Sequence, residues 1–131
     1  MGKEERGTVL IVDDEFAIAE TLKDLLEDEG FRVLLASNGQ EALKVIAAGG
    51  LDVVITDVMM PVMNGIELVQ ALRANEATRS LPVIMMSSAT RAAALQGSIA
   101  NDAISAFLRK PFDLNSLMVT VEQLVDAKPS I

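Results

Sequence analysis

Three aspartates, two serines and a lysine stand where apolar runs break off. Asp13 and Asp14 follow TVLIV, Asp57 follows LDVVIT, Ser87 and Ser88 follow VIMM, and Lys110 closes AFLRK. The chain has no histidine and no cysteine. Imidazole or thiolate metal sites, Ser-His-Asp hydrolysis, disulfides and any phosphohistidine carried by this chain are therefore excluded. What remains is carboxylate chemistry: a carboxylate can act as a nucleophile, or several can hold a hard divalent cation through oxygen alone.

The elements that must position these residues alternate regularly. Thr8 to Val12 reads as a strand buried on both faces. A helix follows, with Ile18, Leu22, Leu25 and Leu26 at helical spacing and Gly30 as its stop. Phe31 to Ala36 is a second strand. Asn38-Gly39 turns into a helix that the Gly49-Gly50 pair ends. Leu51 to Thr56 is the third strand, and Asn64-Gly65 opens the third helix. Val83 to Met86 reads as a fourth strand, Thr90 to Ala100 as an Ala-rich helix capped by Asn101, and Ala103 to Leu108 as the fifth strand. The last helix starts at an Asp113 cap and carries Leu114, Leu117, Met118, Val121, Leu124 and Val125 at helical spacing. Five βα units predict one α/β domain, a doubly wound parallel sheet with helices on both faces. Ligands of such sheets sit at the carboxyl ends of the strands. That edge is where the aspartates, serines and lysine fall.

Two carboxylates about 5 Å apart repel by roughly 3 kcal/mol at an effective dielectric near 20. Three together would cost on the order of several kcal/mol, a large share of a domain's net stability. A divalent cation with one lysine balances three aspartates, and oxygen-only ligands favour Mg²⁺, with Mn²⁺ as the alternative. The bland alternative is that Asp13 and Asp14 cap the first helix, as acids near a helix start often do.

The segments VLIVDDE, ITDVMMPVMNGIEL, LPVIMMSSA and FLRKPF, in that order from Val9 to Phe112, resemble those of a response-regulator receiver domain, above all the single-domain chemotaxis type. The resemblance runs from Thr8 to about Val125. It implies a flavodoxin-like (βα)5 fold with strand order 2-1-3-4-5. It also implies that Asp57 accepts a phosphoryl group, and that Asp14, Asp57 and the Met59 carbonyl ligate Mg²⁺, with Asp13 acting mainly through water. Lys110 and the Ser87 hydroxyl would meet phosphoryl oxygens, and a cis Lys110-Pro111 peptide would aim the lysine. Ser87 and Phe107 would form the switch, coupling the site to the face made by the fourth helix, fifth strand and fifth helix. Phe107, lacking a hydroxyl, is expected to lean inward even before phosphorylation.

With no histidine here, the donor implied is the phosphohistidine of a sensor kinase or phosphotransfer protein. The protein implied is a signalling phosphoprotein of a two-component phosphorelay, one that catalyses its own phosphorylation and dephosphorylation rather than a turnover reaction. Kinases and phosphotransfer bundles of the family dock beside the first helix, where Phe16 and Ile18 offer apolar contact. Two departures stand out: Ala103-Ile104 replaces a Gly-Ala pair, and the interval from Ser87 to Lys110 is one residue longer than in the chemotaxis type. Both bear on the output face more than on the acids. Two alternatives stay open. The chain is a receiver cut from a larger regulator or hybrid kinase, or a receiver-fold interaction module that is never phosphorylated.

The 131 residues suit one domain, read as residues 8–126 with a charged tail at 1–7 and a tail or linker stub at 127–131. A net charge of −8 argues against direct nucleic-acid binding. The charged start lacks a signal-peptide core, and no apolar run approaches membrane-spanning length. A cytoplasmic protein without membrane contact is expected.

Overall fold

The computed structural model describes residues 6–88, 104–110 and 113–126. The helix expected at Thr90 to Ala100, its Asn101 cap, Ala89 and the Lys110-Pro111 peptide lie outside the described residues.

Five strands, β1 (Thr8–Val12), β2 (Arg32–Ala36), β3 (Val53–Asp57), β4 (Val83–Ser88) and β5 (Ala106–Lys110), form one parallel sheet in the order β2-β1-β3-β4-β5. The reversal of direction falls between β1 and β3. Alternation along the strands sends residues to two separate cores. Val9, Ile11, Ile55 and Met86 join Leu22 and Leu26 of α1 (Phe16–Asp28) and Leu117 and Val121 of the C-terminal helix (Leu114–Asp126). Leu10, Val12, Val54 and Met85 face the other way, onto Ala42 and Ile46 of α2 (Gly39–Ala47) and Leu68, Val69 and Leu72 of α3 (Gly65–Ala74). Covering on both faces is why the central strands read as continuous apolar runs.

Local chemistry ends and starts the helices where needed. Gly30, at φ 97°, lets Phe31 N–H bond to Leu26 O at 3.1 Å and Gly30 N–H to Glu27 O at 3.0 Å, a double C-terminal cap. Asn64 caps α3 by accepting from Glu67 N–H at 2.8 Å, while Glu67 accepts from Asn64 N–H at 3.0 Å. Asp113 caps the C-terminal helix as expected, accepting from Ser116 N–H at 2.6 Å.

The fifth strand departs from its sequence reading. It runs Ala106 to Lys110 instead of Ala103 to Leu108. It is an edge strand with an exposed face, so Arg109 and Lys110 stay in the ladder although their charge looks like the start of a loop. At the amino edge of the sheet Arg6 holds three elements. Its guanidinium lies 2.7 Å from Glu122 of the C-terminal helix, donates to Glu29 O at 3.2 Å, and stacks 4.8 Å from the Phe31 ring centre.

Candidate functional site

Register builds the site. Val12 pairs with Thr56, so Asp13, one residue on, comes level with Asp57 at the carboxyl edge. Asp57 pairs with Met86, which brings Ser87 to the same edge, and Lys110 ends β5 in register with Ser88. Oxygens of Asp13, Asp14 and Asp57 lie within 4.8 Å of one another, the group of acids that sequence spacing assigns to a metal site.

Their surroundings differ. Asp13 is buried at 3% exposure, Asp14 is exposed and Asp57 is half-buried. Asp13 Oδ1 accepts from Glu15 N–H at 2.9 Å, and Asp57 Oδ1 accepts from Val58 N–H at 2.8 Å. Each of these carboxylates is thus steered by main chain near its own strand end. The capping alternative fares poorly, because the N-cap of α1 is Glu15, which makes no side-chain cap. The acid pair precedes the helix.

Three carboxylates this close repel by roughly 3 kcal/mol per pair at an effective dielectric near 20. Oxygen-only donors at one strand edge fit a hard cation such as Mg²⁺, which takes one or two carboxylates and keeps waters. A second observation points to a polar guest. Ser87 is buried, and among the described residues its Oγ has no hydrogen-bond partner. A hydroxyl so placed costs about 1–3 kcal/mol until something bonds it.

The chain beyond Asp57 is tightly folded. Gly65 N–H donates to Val58 O at 2.9 Å, and Gly65 packs so close to Asp57 that a Cβ there would collide with the Asp57 carbonyl oxygen. Met63 N–H reaches back to Pro61 O at 2.7 Å, closing a γ-turn on Val62 at φ 69°. That conformation is strained for a β-branched residue. Sequence reasoning missed it because Val62 carries no turn signal. Met59 is exposed two residues after Asp57. Phe107, opposite Met85, is 36% exposed. Phe16 (70% exposed) and Ile18 stand at the start of α1.

The chain matches the family model of the response regulator receiver domain over residues 9–122. It is 34% identical over 120 residues to the chemotaxis protein CheY of Pseudomonas aeruginosa, covering 90% of this chain and 95% of that one. It is 31% identical over 124 residues to the probable transcriptional regulator ycf29 of Pyropia yezoensis, covering 89% of this chain and 52% of that one. The chain spans about half the length of several curated relatives it matches. Among solved structures it resembles the receiver domain of a signal transduction histidine kinase from Syntrophus aciditrophicus, with TM-score 0.83, 31% identity, and 95% and 96% of the two chains covered. It also resembles the response regulator TrrA of Thermotoga maritima in complex with Mg²⁺–BeF, with TM-score 0.79, 30% identity, and 90% and 98% covered. Among the described residues no helix is long and apolar enough to cross a membrane.

Proposed function

The chain belongs to the response regulator receiver family, and from that premise we propose that Asp57 accepts a phosphoryl group from the phosphohistidine of a partner kinase or phosphotransfer protein in a Mg²⁺-dependent reaction. The observation that carries the reading is the convergence of Asp13, Asp14 and Asp57 within 4.8 Å. Asp14, Asp57 and the Met59 carbonyl would hold the ion, Mg²⁺ or Mn²⁺, with Asp13 acting through water. When bound, the ion supplies positive charge against the transferring oxygens.

The rest is the work of this chain's residues. A carboxylate oxygen of Asp57 attacks phosphorus, the P–N bond breaks, and its electron pair leaves with the donor's imidazole nitrogen. Lys110 and the Ser87 hydroxyl bond phosphoryl oxygens, which gives the buried Ser87 Oγ the partner that its burial calls for. The signal then passes through Ser87 and Phe107 to the face of β5 and the C-terminal helix. The downstream target binds that face. The protein works in the cytoplasm and does not itself bind nucleic acid or membrane.

The test is covalent labelling. Wild-type protein with acetyl phosphate and Mg²⁺ gains one phosphoryl group by intact mass, Asp57→Asn gains none, and EDTA abolishes the gain. Stoichiometric labelling of Asp57→Asn would overturn the assignment.

A further inference from the structure

A groove of ≈ 210 Å³ opens off the acid cluster, between the start of α1 and the β2–α2 turn. Its apolar wall is formed by Ala19, Leu35 and Ala36, with Phe16, 70% exposed, also on the lining. The polar part of the lining is Asp13, Asp14, Ser37 and Glu41, and among the described residues none on the lining is basic. Glu41 is held in place: its Oε1 accepts from Ser37 N–H at 2.8 Å and from Ser37 O–H at 2.9 Å, and its own N–H bonds the Asn38 cap at 2.9 Å. Lys44, one turn further along α2, offsets part of the charge of Glu41 but does not line the groove.

This combination selects its occupant. An anion is repelled by the carboxylates, and a purely apolar group would desolvate them without return. A long basic side chain satisfies both halves, since its methylene stem covers Leu35 and Ala19 while its charged head stays at the rim beside Glu41 and the ring of Phe16. A divalent ion at the aspartates would take up the charge of Asp14 but not that of Glu41, so the attraction survives in the metal-loaded protein. The groove adjoins the site of Asp57, because Asp13 and Asp14 belong to both the acid cluster and the lining.

We propose that the groove receives one basic side chain, arginine or lysine, of the protein that donates the phosphoryl group. The proposal rests on the phosphoryl-acceptor reading of Asp57 and adds a recognition element to it.

The experiment uses the full chain saturated with Mg²⁺ and labelled with ¹⁵N, titrated with N-acetyl-arginine methylamide, its citrulline counterpart and free arginine. Amides of Ala19, Leu35, Ser37 and Glu41 should shift with the blocked arginine and not with citrulline. Free arginine, whose carboxylate would face the acids, should bind more weakly. Glu41→Lys should weaken the blocked arginine by about fivefold or more, and Phe16→Ala, at an exposed site outside the core, should weaken it as well. Both variants should still label with acetyl phosphate at the wild-type rate. Equal shifts with citrulline, tighter binding of free arginine, or affinities unchanged in both variants would overturn the proposal. Loss of Asp57 labelling in the wild type would overturn the acceptor reading instead, and the titration is scored without it.

Discussion

Val62 gives the sharpest physical prediction. It sits at φ 69° in a γ-turn whose Met63 N–H to Pro61 O bond is 2.7 Å. An L-residue in the left-handed region costs about 1–2 kcal/mol, with β-branching at the upper end. The side chain is 70% exposed. With under a third of it buried, removing it forfeits only about 0.5–0.9 kcal/mol of the ~1.5–3 kcal/mol for full burial. Val62→Asn keeps a side chain that tolerates this φ, so a net gain of about 1 kcal/mol is expected. Val62→Gly relieves more strain but adds about 0.5–1 kcal/mol of backbone entropy, leaving a smaller gain. Val62→Ile keeps the branch and should gain nothing.

For a domain of 131 residues the unfolding entropy near the midpoint is roughly 0.28 kcal/mol/K, so 1 kcal/mol moves Tm by about 3–4 °C. The chain has neither Trp nor Tyr. Far-UV circular dichroism under heat and urea is therefore the assay. The ordering Asn above Gly above Val and Ile is the expected result. A Tm for Val62→Asn at or below the wild type, or equal shifts for Asn and Ile, would refute the strain.

Other outcomes follow from the same geometry. Gly65→Ala drives a Cβ into the Asp57 carbonyl oxygen and to 3.1 Å from Val58 Cα; it should lose about 1–3 kcal/mol in urea melts and label poorly at Asp57. Glu41 is held below its ordinary pKa by the Ser37 N–H and then its hydroxyl, and Asp113 likewise by the Ser116 N–H and then its side chain. Their stabilising contribution is complete above the unfolded values of 4.5 and 3.8 and is lost as pH falls through the lower folded values. Asp113→Asn should therefore flatten the acid limb of a Tm-against-pH curve. Asp14→Asn removes one of three crowded charges, so it should melt higher than wild type without Mg²⁺ and respond less when Mg²⁺ is added. Met59, exposed two residues after Asp57, carries no group that would position a water, so the aspartyl phosphate should persist for minutes or longer, as read by intact mass after the donor is removed.

Much of this was legible along the chain because parallel strands covered on both faces leave apolar runs that few other elements imitate. β1 matches its sequence bounds, and the acids at the ends of β1 and β3 mark the functional edge before any register is known. The strand order was not legible from periodicity and came from the family resemblance. The bounds of β5 were read three residues early at its start because an edge strand carries charge on its open face. Arg6 with Glu122, 116 residues apart, could not be seen, since an exposed arginine pairs with whatever the fold brings near. Val62 was invisible for the opposite reason. Its propensity argues against the conformation it adopts, which is framed by the Met63 N–H to Pro61 O bond across it and by Gly39 N–H to Met63 O at 3.0 Å and Gly65 N–H to Val58 O at 2.9 Å on either side.

Those hidden features divide by location. At the amino edge of the sheet the local chemistry is satisfied: Thr8 N–H bonds Asp52 at 2.8 Å, Arg6 meets Glu122, and α1 closes on a double cap. At the carboxyl edge, among the described residues, lie the crowded carboxylates, the buried Ser87 Oγ without a partner and the β-branched residue at positive φ. Each of these works against stability, and together they occupy one edge. A sequence that is locally consistent elsewhere tolerates such conflicts where function requires them. The distribution of strain thus points to the same edge as the family resemblance, from evidence that owes nothing to it. It also bears on the groove: with a divalent cation on the aspartates, Glu41 is the lining carboxylate left to meet a cationic side chain.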